Sequence, residues 1–561
     1  MNRRTFLQAG AALALFPERA TWGAQPWSAT HVLRGALLYD GTGAPPREAD
    51  VALDGARIVG VGPRLQVGRV EETDLRGLAL APGFVDIHSH TDLNLLVNPR
   101  AESKVRQGVT TEVTGQDGSS VGPWTDEHCQ EVRAEYRGRG VDLPFRDLAG
   151  FFGWMDEHGA AVHVASMVGH GTIRARAMGH QDRPATDAEL RRMKDEVARA
   201  VAAGACGLSS GLEYTPGAFG STAELVELAT ALAGTGLPYA SHMRNEDDRL
   251  FAAVEEAIHV GRVAGVPVEI SHLKAQGGRN WWKAGSTLHA IEQARAAGVD
   301  AAFDVYPYVA YSTGLANLFP VSARDGGTDA FIARLRDPAQ RARLERAVRD
   351  KIAQLGSWNS VQVTSTGSDA LAWARGRRLG DLATERGVEP FALLVQLIVD
   401  DRNRAGMVGF GMSEENVERS LAHPLSVVCS DGGAWAPYGP LSTGVPHPRT
   451  YGTFPRVLGR YVRERKLMPL ETAIHKMTAL PASRVGLHDR GTVVPGARAD
   501  LVAFEPDTVI DQATFERPHQ YPLGIPHVWV NGVAVIRAGE HTCARPGRSA
   551  RPTARPVARA G

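Results

Sequence analysis

Eight apolar runs, each ending in polar residues and spaced by amphipathic helical stretches, predict an α/β chain built on a (β/α)8 TIM-type barrel. Two further observations frame that core. Short β-rich runs stand at both ends of the chain, and a helical stretch breaks the rhythm before the last run. At 561 residues the chain exceeds what one hydrophobic core usually organises, which fits a barrel carrying an accessory domain.

In order along the chain, residues 1–26 open with "MNRRTFLQAGAALALF". Arg3-Arg4 ahead of a short apolar run resembles a twin-arginine export signal and predicts a periplasmic or otherwise exported protein, cytoplasmic if the signal does not function. The run is too short to span a bilayer as a helix, so no stable membrane insertion is expected. Residues 27–82 and 480–540 share a β-rich texture punctuated by Asp40-Gly41, Asp54-Gly55 and Asn531-Gly532, the chemistry of tight turns. They predict one small β-sandwich domain assembled from both ends. Residues 83–479 form the expected barrel, its runs ending at "VDIHSH", "TTEVTGQDG", "HVASMVGHG", "GLSSGLEY", "PYASHMR", "PVEISHLK", "AAFDVYPY" and "LSVVCSDG". Thr186–Glu189 and Ser221–Glu224 fit the capping box, and Gly204 and Gly234 fit helix stops. A helical insertion is placed at about 319–375. The tail 541–561, rich in Arg, Pro and Ala, predicts disorder.

Composition narrows the partners. Basic and acidic residues number 62 each, so no global field favours nucleic acid or an anionic membrane. Cys129, Cys206, Cys429 and Cys543 are widely spaced without a CxxC pair and predict neither a disulfide framework nor a zinc ribbon.

The chemistry sits at the run ends. His88 and His90 are two apart on an extended segment, so both side chains project to one face. His242, His272 and Asp431 close three further runs in the same manner. Imidazole and carboxylate donors gathered at the catalytic end of a barrel suit Zn²⁺ with a position left for water.

With these residues placed, the chain resembles the amidohydrolase superfamily, and more closely the N-acyl-D-amino-acid deacylases, or D-aminoacylases. The resemblance is carried by "GFVDIHSHTDL", "GLSSGLEYTPG", "YASHMRNE", "ISHLKA", "HPRTYGTFPRVLGRYV" and "DQATFERPHQYPLGIPHVWVNG", and runs from about Val32 to Arg548. It implies hydrolysis of small N-acyl-D-amino acids at a site of one or two zinc ions, with Asp431 as general base. It also implies that Tyr306 and Arg449, with Lys274, bind the substrate carboxylate. One departure stands out. Where the family usually has a metal-binding cysteine in a Gly-Asn-Cys-Gly turn, this chain reads "GQDG" with Asp117. Asp117 can take that place, or Glu213 at the end of the fourth run can be the carboxylate ligand. The reading favoured from sequence gives the role to Glu213 and sets Asp117 behind it.

Three rivals remain at this stage. "GLSSG" matches a serine nucleophile elbow at Ser209. A dipeptidase or cyclic amidase would keep barrel and metal, although the fourth run has no lysine of the kind cyclic amidases use. A metal-free binding scaffold would have lost its ligands, yet the histidines and Asp431 remain.

Overall fold

The computed structural model describes residues 28–553, so the expected signal segment lies outside the described residues. The strand His31–Leu38 pairs antiparallel with Arg47–Asp54 and parallel with Ala79–Pro82. Ala79–Pro82 in turn pairs antiparallel with Leu501–Phe504, and the path continues through His527–Val530, Val533–Arg537 and Glu540–His541. Strands from the two ends therefore form one continuous nine-stranded sheet. Ala79–Pro82 joins the two contributions, since it finds a backbone partner on each side. Leu33, Val51, Leu53, Leu80, Leu501 and Trp529 pack into one buried cluster drawn from both ends. Asn531 and Gly532 both take positive φ, 49° and 74°, as the tight hairpin between His527–Val530 and Val533–Arg537 requires.

Each of the eight apolar runs carries a strand, and all their pairings are parallel. Phe84–Asp86, Val109–Thr114 and His163–Ser166 form a three-stranded sheet. Val168–Gly169, Leu208–Gly211, Tyr239–His242, Val268–Ile270, Ala301–Val305 and Ser426–Val428 form a six-stranded one. The chain passes from the first sheet to the second through Met167. At the opposite edges the contact is a single parallel bridge, Ser89 to Gly432, with Asp431 N–H donating to the His88 carbonyl at 2.8 Å. Strands buried on both faces read as unbroken apolar runs, which is why periodicity alone found them.

A buried polar cluster reinforces that thin edge. The ammonium of Lys104, fully buried, reaches Asp86 at 2.8 Å, the Ser430 hydroxyl at 2.6 Å and the Gly432 carbonyl at 2.6 Å. Glu112, 3.6 Å from the same ammonium, accepts hydrogen bonds from Ser89 and Thr91. The cluster ties the strand before His88 to the loop of Asp431. Lys104→Met strands two buried carboxylates without a counter-charge and is expected to cost about 3–5 kcal/mol of stability. Urea denaturation measures this, and an unchanged midpoint would remove the cluster from the account.

Between helices, the cap at Thr186 is reciprocal with Glu189 and Gly204 closes that helix at φ 108°. The second capping pair is only half formed. Ser221 accepts from Glu224 N–H, but the Glu224 carboxylate turns to His170 and Arg174 in the interior.

Two expectations need correction. The insertion is not a helical element confined to 319–375. It runs from Tyr311 to about residue 410 and contains an antiparallel sheet of Tyr311–Gly314, Gly406–Gly409 and Val361–Ser365 beside its helices. Those strands are four or five residues long and lack clear alternation, so the helical signal around them dominated. The described part of the tail, residues 541–553, is ordered. Gly547 exchanges backbone hydrogen bonds with Ala160, Val164 N–H donates to Arg548, and Ala550 N–H donates to Val164. Composition does not register order held by main-chain bonds. All four cysteines are free, three of them buried.

Candidate metal centre and active site

His88 and His90 follow the strand Phe84–Asp86, and their rings lie 5.3 Å apart. His242 closes Tyr239–His242, and His272 follows Val268–Ile270 in a left-handed conformation, φ 35°. Asp117 and Asp431 are also left-handed, at φ 53° and 49°. Backbone strain at three donor-bearing positions marks side chains aimed by their surroundings.

Asp117 occupies the middle. Its carboxylate lies 3.4 Å from His88 Nε2, 3.4 Å from His90 Nε2, 3.6 Å from His242 Nδ1 and 3.5 Å from His272 Nε2. Asp431 Oδ1 faces His90 Nε2 at 3.1 Å and His88 Nε2 at 3.7 Å, while its Oδ2 meets Arg449 at 2.7 Å. Glu213, by contrast, touches the group only at its rim, 3.6 Å from His242 Nε2. The turn that presents Asp117 is fixed from the neighbouring strand. Ser209 donates to the Gly115 carbonyl at 2.6 Å and accepts from Gly118 N–H at 3.1 Å. Ser209 is fully buried, so the serine of the apparent elbow serves as a staple and not as a nucleophile.

These donors suit a cation. One ligand atom from each of His88, Asp117, His272 and Asp431 falls within 4.8 Å of the rest, and a second such group joins His242, Glu246 and His272. Among the described residues, His88 Nε2, His242 Nε2 and Asp117 Oδ1 are buried without a hydrogen-bond partner. Such atoms are costly unless something satisfies them. The electrostatics agree. Burial lowers the basicity of His90, but hydrogen bonds to Asp117 and Asp431 outweigh it and push the pKa up to about 9. His242, opposed by burial and favoured by the charges of Glu246 and Asp117, reaches about 10. Burial works to raise Asp117 and Asp431, yet the surrounding histidines and Arg449 hold both well below the usual carboxylate range. The field calls for positive charge at the centre.

The other predicted residues fall around this group in different roles. Arg449 lies over the Tyr306 ring at 4.7 Å and borders the cavity through Asp431. Lys274 lines the cavity but is already engaged, 2.6 Å from Glu246 and 2.7 Å from His272 Nδ1. Glu246 and Asp304 were missed by sequence reasoning. Glu246 lies 3.1 Å from His272 Nδ1, and Asp304 accepts from His272 N–H at 2.7 Å while standing 3.5 Å from His88 Nδ1. Carboxylates behind ring nitrogens fix the tautomer that turns the opposite nitrogen to a metal. Glu246 stands four residues past His242 in "HMRNE" and Asp304 two before Tyr306 in "FDVYPY", spacings that a search for backing carboxylates could have used.

The model of the amidohydrolase family matches residues 71–536. The chain belongs to that family. Among its relatives, it is 38% identical to an N-acyl-D-aspartate deacylase of Alcaligenes xylosoxydans xylosoxydans, covering 95% of this chain and 97% of that one. It is 36% identical to a D-aminoacylase of the same organism, over 92% and 96%. A crystal structure of the N-acyl-D-glutamate deacylase of Bordetella bronchiseptica, complexed with zinc and a phosphonate mimic of the tetrahedral intermediate, superposes with a TM-score of 0.79. It is 35% identical and covers 93% of this chain and 99% of that one. Within the amidohydrolases this chain thus groups with the N-acyl-D-amino-acid deacylases, and it is a metal-dependent amide hydrolase.

Proposed function

We propose that the chain hydrolyses the amide bond of N-acyl-D-amino acids, releasing a carboxylate and a free D-amino acid, with zinc at the centre described above. The observation that carries this reading is the convergence of four histidine nitrogens on Asp117, with Asp431 alongside and Arg449 behind it. We further read the two parallel sheets as one closed (β/α)8 barrel, joined through Met167 and the Ser89–Gly432 bridge, with these residues at the C-terminal ends of its strands.

In this reading His88, His90, His242, His272 and Asp117 hold the metal, for one or two ions. Zinc bound there supplies a Lewis acid for the scissile carbonyl and lowers the pKa of water toward neutrality. Asp431 takes the proton of the attacking water at Oδ1 and returns it to the departing amine, as a general acid–base group must. Arg449, stacked on Tyr306, presents a planar pair of donors to the substrate α-carboxylate. A carboxylate arriving there shares the guanidinium with Asp431. Lys274, matched by Glu246, contributes charge at the cavity wall and keeps His272 in place, a narrower role than the sequence assigned it.

Zinc content and hydrolysis of N-acetyl-D- and N-acetyl-L-amino acids, before and after chelation, test the reading together. The expected result is zinc-dependent release of D-amino acids alone. Bound zinc with both panels inert would move the assignment to dipeptides or cyclic amides. The fourth strand lacks the lysine that cyclic amidases use, which speaks against the second of these. The N-terminal twin-arginine segment supports export to the periplasm as part of the same proposal.

A further inference from the structure

Two larger cavities approach the centre through different residues. One, of about 380 Å³, borders His90, Asp431 and Arg449 and reaches Thr313, Thr364 and Ser365 of the insertion. The other, of about 700 Å³, borders Asp117 and Tyr214 and runs along the helices Asp126–Arg137 and His170–Met178. Asp117 keeps 9% of its side chain exposed, and it lines this second groove and not the first cavity. Tyr214, whose ring lies 4.6 Å from that of His242, lines both the groove and the small space beside His242 and His272. The groove is apolar where its lining is buried and charged where it is exposed. Trp124 and Met178 are 6% and 9% exposed, Pro216 is buried, and Ala175 adds a small apolar face. Glu131 and Arg176 stand on exposed helix positions, and each already has a partner, His128 at 3.2 Å and Glu196 at 3.2 Å. Beside Asp117 the lining is main chain. A Cβ on Gly118, at φ 74°, would meet Gly211 N at 2.7 Å, so the space there stays free of side chains.

We propose that this groove receives the acyl group of the substrate and selects a medium-length apolar acyl chain over acetyl. The inference rests on the deacylase reading and specifies its acyl group. The scissile bond divides an N-acyl amino acid in two. Asp431 serves the departing amine and Arg449 the α-carboxylate, so the amino-acid half, with its side chain, lies toward the first cavity. The acyl half leaves the carbonyl carbon in the other direction. Tyr306 and Asp431 follow Ala301–Val305 and Ser426–Val428, at one end of the six-stranded sheet. The groove residues Gly171 and Pro216 follow Val168–Gly169 and Leu208–Gly211, at the other end. Each methylene buried against the apolar lining favours binding by about fourfold. An acetyl group has no methylene to place there.

The test uses the zinc-loaded native chain and the N-acetyl, N-butyryl, N-hexanoyl and N-octanoyl derivatives of one D-residue, the one whose N-acetyl form is cleaved fastest. kcat/KM should rise along the series, with octanoyl about tenfold above acetyl. Ala175→Trp fills the groove from its helix, and Trp124→Ala removes its largest apolar side chain. Both should bring the octanoyl-to-acetyl ratio toward one, and zinc content is measured for all three proteins. The two substitutions act independently, so either one carries the test if the other fails to fold. A ratio of one or less in the native chain, or a preference that survives in a folded variant, overturns the acyl groove and leaves the deacylase reading intact. Failure to cleave any N-acyl-D-amino acid overturns both.

Discussion

Asp117→Ala is expected to empty the metal centre. Among the described residues its carboxylate is the one group within 3.6 Å of all four histidines, so its loss leaves them without a common anion. Loss of a partner outside the coordination sphere typically costs about 10–100-fold in metal affinity or activity. Removal of the central carboxylate should exceed that, with hydrolysis falling below detection unless zinc is supplied in large excess. Glu213→Ala should retain zinc, since among the described residues its carboxylate approaches one of the four histidines, His242, where Asp117 approaches all four. Elemental analysis of the two purified variants decides between them. Zinc kept by Asp117→Ala and lost by Glu213→Ala would restore the arrangement favoured from sequence alone.

The second large effect is expected at Asp431. Asp431→Asn keeps the shape of the side chain and an oxygen for His90 while removing the proton acceptor, so kcat should fall by about 10²–10⁴-fold. Zinc content should change far less than in Asp117→Ala. The same substitution leaves Arg449 buried beside an amide, and some loss of stability accompanies it. A kcat within a few-fold of the native value would assign the proton transfer to another group, and Glu246 would be examined next.

What the sequence made legible was local. His88, His90, His242, His272 and Asp431 each end an apolar run, and the position of a polar residue at the end of a buried strand is written in its immediate neighbours. Asp117 was visible as a residue but not as a centre. Its aim depends on a left-handed turn stapled by Ser209, more than ninety residues away along the chain. Glu246 sits in "RNEDDR", which reads as a solvated charged turn until His272, Lys274 and Gln276 are seen to surround it. Lys351 reaches the cavity on a helix of the insertion, and the pairing of Lys274 with Glu246 arises between the loops that follow two different strands. Distances of that kind have no periodicity from which to be read.

The nine-stranded sheet also bears on how the protein comes into being. Leu501–Phe504 is made more than four hundred residues after Ala79–Pro82, yet Ala79–Pro82 needs it to pair its outer edge. The segment around Gly547 lies against Ala160 and Val164, at the strand next to the one that carries Asp117. Pairings separated by nearly four hundred residues or more are closed late and slowly. The outer edge of Ala79–Pro82 therefore stays uncovered until the chain that separates it from Leu501–Phe504 has been made, and the sheet closes around a barrel that is already synthesised.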